Sequence, residues 1–288
     1  MSQFSIFTDS GCDLSAAVLA EWGVECLYLT FRFNDSEKQY AGNEMPGKDF
    51  FDKMRAGGVA KTAAVNVDEF ANAFRVALDA GRDVLYVGIS SGISNTYNAG
   101  RLAAEQLKSE YPDRKIIAFD SLSASAGEGL AVYLAAQKRK EGLSAEETAA
   151  YLNENRMAIS AWFTVEDLVY LKRGGRVSAA TALVGNALGI KPVMHVDNDG
   201  KLVKVDTARG RKKSLAALAD AYKRTARTPE AGTVFISHGD SLADAQYLAD
   251  LLNKDCGVTV ELITEISPVI GAHAGPGTIA LFFLSNER

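Results

Sequence analysis

Residues 84–119, VLYVGISSGISNTYNAGRLAAEQLKSEYPDRKIIAF, decide the fold class. An apolar run of strand character (84–89) passes through a loop of glycine and serine into a helical pattern over 95–109. A second apolar run follows at 115–119. Strand, helix and strand at this spacing make the unit from which parallel sheets covered by helices are built. The loop itself, GISSGISN, is polar where the flanking strand and helix are not, so it is the first place to look for a bound molecule.

Working outward, the same alternation continues on both sides. FSIFT (4–8) reads as a strand, and Asp13 is placed to cap the helical stretch DLSAAVLAEWG. VECLYLTFRF (24–33) reads as one strand. In VDEFANAFRVALDAG, Phe70, Phe74 and Leu78 repeat at helical spacing and Gly81 ends the run. A helix is expected over 125–140, and LSAEETAAYLNEN carries Ser144 and Glu147 at capping-box spacing. After about residue 157 the rhythm changes. ISAWFTV is a strand, EDLVYLKRGGR a short helix with a glycine stop, and KPVMHVDNDGKLVKVDTA a hairpin turning at Asp199-Gly200. Helices over 211–226 and 241–253 alternate with strands 233–237 and 258–263, and TIALFFL closes the chain. The expected fold is α/β: an N-terminal parallel-sheet, three-layer domain (1–157) and a C-terminal α/β domain with a mixed or antiparallel sheet (158–288).

A net charge of −5 over 288 residues argues against a general nucleic-acid binder. Cys12, Cys26 and Cys256 are too dispersed for a disulfide framework, which fits a reducing compartment. The N-terminus lacks the basic and apolar regions of a signal peptide. The longest mostly apolar stretch, VIGAHAGPGTIALFFL, is broken by His273, three glycines and Pro276, so no membrane span is expected. The protein is read as cytoplasmic. No pair of His, Cys or carboxylate residues has metal-ligand spacing, so neither metal nor other cofactor is expected.

Three readings of the polar loop compete. Gly88-Ile-Ser90-Ser-Gly92 matches the G-x-S-x-G nucleophile elbow, and Asp120 or Asp240 followed by His273 would complete a serine hydrolase using Ser90 or Ser94. An elbow enters its helix at once, however, whereas here the helical pattern begins only near Asn95. As an anion cradle, the loop would offer backbone N–H groups at a helix N-terminus plus the hydroxyls of Ser94 and Thr96. That cradle would also suit a phosphosugar-binding regulator. Ser94 capping its own helix is the plain structural alternative. Elsewhere, KRGGR (172–176) fits a helix end complemented by cations. RGRKK (209–213) puts four cations at a helix start, where they oppose the dipole unless an anion or an acidic partner shares the space. His195 and His238, in or beside strands, read as structural. His273, in the glycine-rich loop GAHAGPGT, reads as a site residue.

Five motifs in order, TDSGCDL, ISSGISNTY, YLKRGGR with LGIKPV, RGRKK and PVIGAHAGPGT, resemble the motif set of the DegV family across essentially the whole chain. The resemblance implies a two-domain fatty-acid-binding protein of the kind that serves as the lipid-carrying subunit of bacterial fatty acid kinase. Such a protein has no chemistry of its own. It would bind a long-chain fatty acid, present the carboxylate to a separate ATP-dependent fatty acid kinase subunit, and carry away the acyl-phosphate. By the same resemblance Thr62 and Ser94 hold the carboxylate, and Arg176, Arg209 and His273 form the head-group rim or kinase contact. The family commonly has TSQPS where this chain has TAAVN, so Ala63 implies one hydroxyl fewer beside Thr62.

Overall fold

The computed structural model describes residues 4–178 and 189–288. Four strands, β1 (Phe4–Asp9), β2 (Val24–Leu27), β6 (Asp83–Gly88) and β7 (Ile116–Asp120), form a parallel sheet in the order β2-β1-β6-β7. Side chains alternate across it as strand geometry requires. Phe4, Ile6, Leu85 and Val87 enter one core, and Phe7, Val84 and Tyr86 enter the core on the opposite face. Helices α3 (Val67–Asp79) and α4 (Thr96–Leu107) cover that second face, with Phe70, Phe74 and Leu78 buried at the expected spacing.

The stretch 24–33 is not one strand. It divides into β2 in the parallel sheet and β3 (Thr30–Phe33), which joins β4 (Tyr40–Ala41) and β5 (Ala60–Ala63) in a small antiparallel sheet ordered β4-β3-β5. The apolar alternation continues through Tyr28 and Leu29, so nothing local marks the change of sheet. Helix α2 (Gly47–Arg55) backs this sheet with buried Phe50, Phe51 and Met54. Asp13 does not cap α1 (Ala16–Trp22) either. Ser15 accepts from Val18 N–H at the helix start, while Asp13 takes a left-handed backbone and turns its carboxylate inward.

Among the described residues from Ile159 onward, the strands belong to a six-stranded mixed sheet, ordered β10-β9-β8-β13-β11-β12. Its members are β8 (Ile159–Thr164), β9 (Ile190–Val196), β10 (Leu202–Arg209), β11 (Val234–His238), β12 (Leu262–Glu265) and β13 (Ile279–Leu284). Only β11 and β12 run parallel; the other pairs are antiparallel, including the β9–β10 hairpin. The outer face is covered by α8 (Arg211–Thr225) and α9 (Leu242–Cys256). Helix α5 (Ala126–Lys140) is buried almost all round, because it lies between the two large sheets and is clamped from both sides. A Cβ at Gly127 would stand 2.6 Å from the Phe282 ring of β13, so the close approach of helix to sheet needs glycine there. One apolar core therefore runs from Ile6 and Leu85 through Leu130 to Phe235 and Phe282.

Candidate functional site

Between the two sheets the core leaves a channel of about 760 Å³ of atom-free space, its open mouth included. Leu29, Ile89 and Ile93 line it from one side, and Phe163, Val196, Leu202 and Phe282 from the other. Its polar lining is confined to a few side chains, among them Thr62, Ser94, Arg176 and His273. Four of the five residues singled out in the sequence thus meet at one channel, from four separate segments of chain.

Each is positioned by its own element. Thr62 lies opposite Phe31 in the β3–β5 register, so strand alternation turns it inward with that core ring, while Lys61 and Ala63 face out and are exposed. Ser94 ends the polar loop after β6, and Ser90 C=O accepts from the N–H groups of Ile93 and Ser94. The Ser94 hydroxyl accepts from Thr96 N–H at 3.2 Å and donates to Thr96 Oγ1 at 3.0 Å. It therefore serves its own helix start as well as the channel. Arg176 follows α7 (Val169–Arg173). Its Nε donates to Ile93 C=O at 3.1 Å and its Nη1 to Gly174 C=O. Burial pushes its guanidinium pKa down.

His273 is not in a loop. It lies in α10 (Pro268–Ala274), a short helix with Pro268 in its first turn. The sequence pattern missed this helix because Gly271 and His273 interrupt an apolar face. Gly271 is there because a Cβ would stand 2.8 Å from the Phe51 ring of α2. Nε2 of His273 lies 2.9 Å from Thr62 Oγ1. Burial, then the charge of Arg176, hold its pKa down at about 4, so the ring is neutral at pH 7. Nδ1 is buried without a hydrogen-bond partner. When Nε2–H donates to Thr62 Oγ1, the threonine proton is left for a ligand in the channel.

The N-terminal TDSGCDL motif sets this geometry from behind. Asp9 accepts from Gly11 N–H (2.9 Å), Tyr86 O–H (2.7 Å) and Ile89 N–H (3.1 Å), which fixes the entrance to the polar loop. Asp13 accepts from Ser267 N–H at 2.9 Å, at the N-terminus of the helix that carries His273, and from the Ser125 hydroxyl. Ser125 also lines the channel. Its buried hydroxyl, engaged by Asp13 and Ser237, was not legible from spacing.

Other expectations resolve differently. Arg209 lies at the exposed end of β10 and does not line the channel. Of the RGRKK cations, Arg211 is accommodated by acids, 2.8 Å from Asp244 and 3.6 Å from Glu166. The serine–acid–histidine order is not assembled into a relay. Ser90 is buried and donates to Gly200 C=O at 2.8 Å, Asp120 accepts from the N–H groups of Ser91 and Leu122, and Asp240 pairs with Arg55. His273 pairs with Thr62 rather than with either serine. His195 and His238 are structural: one contacts Ala161 C=O and Trp162, the other accepts from Ser241 N–H. Among the described residues no group of His, Cys, Asp or Glu is placed to hold a metal ion, and no helix is long and apolar enough to cross a membrane.

Fold and site together define an α/β protein with an interior channel that is mostly apolar and carries a cluster of Thr62, Ser94, Arg176 and His273. The chain belongs to the DegV family, whose model, described as "Uncharacterised protein, DegV family", matches residues 3–286. It is 38% identical over 291 residues to a DegV domain-containing protein of Clostridium perfringens, covering 100% of this chain and 99% of that one. Among solved structures it is similar to a DegV lipid-binding protein of Thermotoga maritima, with a TM-score of 0.87, 28% identity and 100% of both chains covered. A DegV family protein of Thermus thermophilus, described by its fatty acid binding, superposes with a TM-score of 0.87 at 29% identity, covering 98% of this chain and 99% of that one.

Proposed function

We propose that this protein binds a long-chain fatty acid in the channel, presents its carboxylate to a separate ATP-dependent fatty acid kinase subunit, and carries the acyl-phosphate away in the cytoplasm. The observation that carries the reading is the lining: mostly apolar walls, with Thr62, Ser94, Arg176 and His273 brought together through the Thr62–His273 and Arg176–Ile93 contacts. Fatty acid binding by the Thermus relative supports it.

The physics divides the work between tail and head. At about 0.8 kcal/mol per buried methylene, a chain of about fifteen contributes on the order of 12 kcal/mol before ordering costs. The head group adds orientation. Thr62 donates a hydroxyl hydrogen bond to the carboxylate, Ser94 does so when its proton turns from Thr96 Oγ1 to the ligand, and Arg176 beside them keeps the carboxylate charged. Neutral His273 holds Thr62 in place without adding charge. Arg209, on the surface, acts only in the encounter with the kinase. Nothing in this arrangement makes the protein an enzyme by itself.

Solvent extraction and mass spectrometry of the purified protein should find a long-chain fatty acid, and lipid-free protein should take up added palmitate. Thr62→Ala and Ser94→Ala should weaken retention, or phosphorylation by a cognate kinase, without unfolding the chain. Protein that neither carries nor takes up fatty acid would sink the reading. Full acyl-phosphate formation by the double variant would remove the head-group assignment alone.

A further inference from the structure

The channel does not end at its polar mouth. Thr62, Arg176 and His273 are also the inner wall of a second, outer cleft of about 820 Å³ of atom-free space, open to solvent. A head group larger than a carboxylate would extend from the mouth into this cleft. Its further lining includes Lys61, Tyr170, Arg173 and Gly174, and it contains no aspartate or glutamate. With Arg176 that makes three cationic side chains, and among the described residues none of the three is in an ion pair with a carboxylate.

The three are not equivalent. Arg176 is half-buried with two of its donors committed to backbone carbonyls. Lys61 follows strand alternation onto the outer face, opposite Arg32 in the β3–β5 register. Arg173 is the one placed for the cleft. It lies one helical turn after Tyr170, with its guanidinium carbon 6.0 Å from the centre of that ring. Tyr170 in turn rests on the backbone just after His273: a Cβ at Gly275 would stand 2.3 Å from it. The KRGGR turn thus aims two arginines at one space, Arg176 at its inner edge and Arg173 at its outer edge.

A single carboxylate needs one such neighbour. A phosphate monoester or acyl-phosphate carries close to two negative charges at neutral pH and three acceptor oxygens, and the planar fork of arginine matches that geometry. We propose that the outer cleft is a phosphate subsite, with Arg173 as the residue that makes the protein prefer a phosphorylated head group over the free carboxylate. This rests on the reading of the channel as a fatty-acid site and adds to it a device for retaining the phosphorylated form.

The test compares two amphiphiles of equal tail length, palmitate and hexadecyl phosphate, by displacement of a fluorescent fatty acid. In the wild type, hexadecyl phosphate should bind at least as tightly as palmitate. Arg173→Met should weaken hexadecyl phosphate by about tenfold and palmitate by less than about twofold. Arg173→Lys should recover part of the loss, and Lys61→Met should have the smaller effect of the two sites. Equal losses for both ligands, or no loss for either, overturn the proposal. So does an effect of Arg173→Met seen only in the rate of phosphorylation by the kinase, which would assign Arg173 to partner docking. Palmitate uptake without hexadecyl phosphate uptake removes the subsite and leaves the channel reading standing. Failure of the wild type to take up either ligand removes the channel reading, and the subsite with it.

Discussion

Two polar clusters lie within the first 273 residues of the chain, and they are built on opposite principles. At the TDSGCDL turn, both oxygens of Asp9 and both of Asp13 have donors, drawn from the polar loop, the parallel sheet and the start of α10. At the channel mouth, among the described residues, Nδ1 of His273 has no hydrogen-bond partner and Arg176 pairs with backbone carbonyls rather than with a carboxylate. A buried polar group costs free energy unless it is satisfied. The satisfied cluster is scaffold; the other has a buried imidazole nitrogen that no described residue satisfies. Glu128, behind Asp9, is the exception on the scaffold side: Oε1 accepts from Thr8 at 2.9 Å while Oε2 has no partner. Burial, then the nearby charge of Asp9, push its carboxyl pKa well above the usual carboxylate range, which favours the neutral form.

The largest effect should come from breaking the scaffold cluster. Asp9→Ala removes the acceptor of three donors at once, each costing about 1–3 kcal/mol when left buried. A loss of at least about 3 kcal/mol is expected in urea unfolding, with the polar loop released from β6. The pH dependence gives a second check. Burial raises Asp9 to about 6 and Asp13 to about 7 in the folded protein, from 3.8. A raised acid binds more protons folded than unfolded, so its contribution is fully present below pH 3.8 and is lost as pH rises through 6 to 7. His273 has the opposite sign: with its folded pKa near 4, its contribution is present above 6.5 and lost as pH falls towards 4. Asp13→Asn keeps an acceptor for Ser267 N–H, lets the Ser125 hydroxyl turn to donate to Ser237, and removes one of the falling terms. Stability should therefore decline less between pH 5 and pH 8 in this variant than in the wild type. An unchanged slope would show that Asp13 is ionised throughout.

An intermediate effect separates site from backbone within two adjacent glycines. Gly174 has ordinary helical backbone angles, but a Cβ there would stand 2.1 Å from Nδ1 of His273. Gly175 has a left-handed backbone (φ 71°) with nothing near its Cβ position. Gly174→Ala should displace the imidazole from Thr62 and lower palmitate affinity by about tenfold while changing stability by less than about 1 kcal/mol. Gly175→Ala should do the reverse, costing about 1–2 kcal/mol of stability through backbone strain and leaving affinity nearly unchanged. If both variants lose affinity equally, the KRGGR turn positions the site as a unit and the contact with His273 is not the cause.

The same contrast explains what could be read from letters alone. The parallel sheet, the hairpin at Asp199-Gly200, the α3 face of Phe70, Phe74 and Leu78, and the Ser144–Glu147 capping box are local patterns, and all are present in the structure. The helix of His273 was not legible, because its glycine answers a ring 220 residues earlier rather than a local turn. The change of sheet at Tyr28 and Leu29 has the same origin, since both halves of the run are apolar and only tertiary pairing distinguishes them. Ser94 and His273 stood out in their own local sequence and the resemblance added Thr62 and Arg176, while the meeting of all four at one channel is a property of the fold. Arg209 came from the same source and does not join them. Arg211 beside it is balanced by Glu166 and Asp244, acids that no spacing rule connects to RGRKK.

The smallest effect concerns Ala63, where the resemblance implied a missing hydroxyl beside Thr62. In the strand register Ala63 lies opposite Thr30 and is exposed, on the face of β5 that looks away from the channel. A hydroxyl placed there would meet water before it met a ligand. Ala63→Ser should therefore shift palmitate affinity by less than about twofold and stability by less than about 0.5 kcal/mol. A clear gain in affinity would mean that β5 twists on binding so that position 63 turns towards the head group. The static alternation that sends Thr62 inward and Lys61 outward would then fail for the liganded state, and the assignment of Arg173 over Lys61 in the outer cleft would have to be reversed with it.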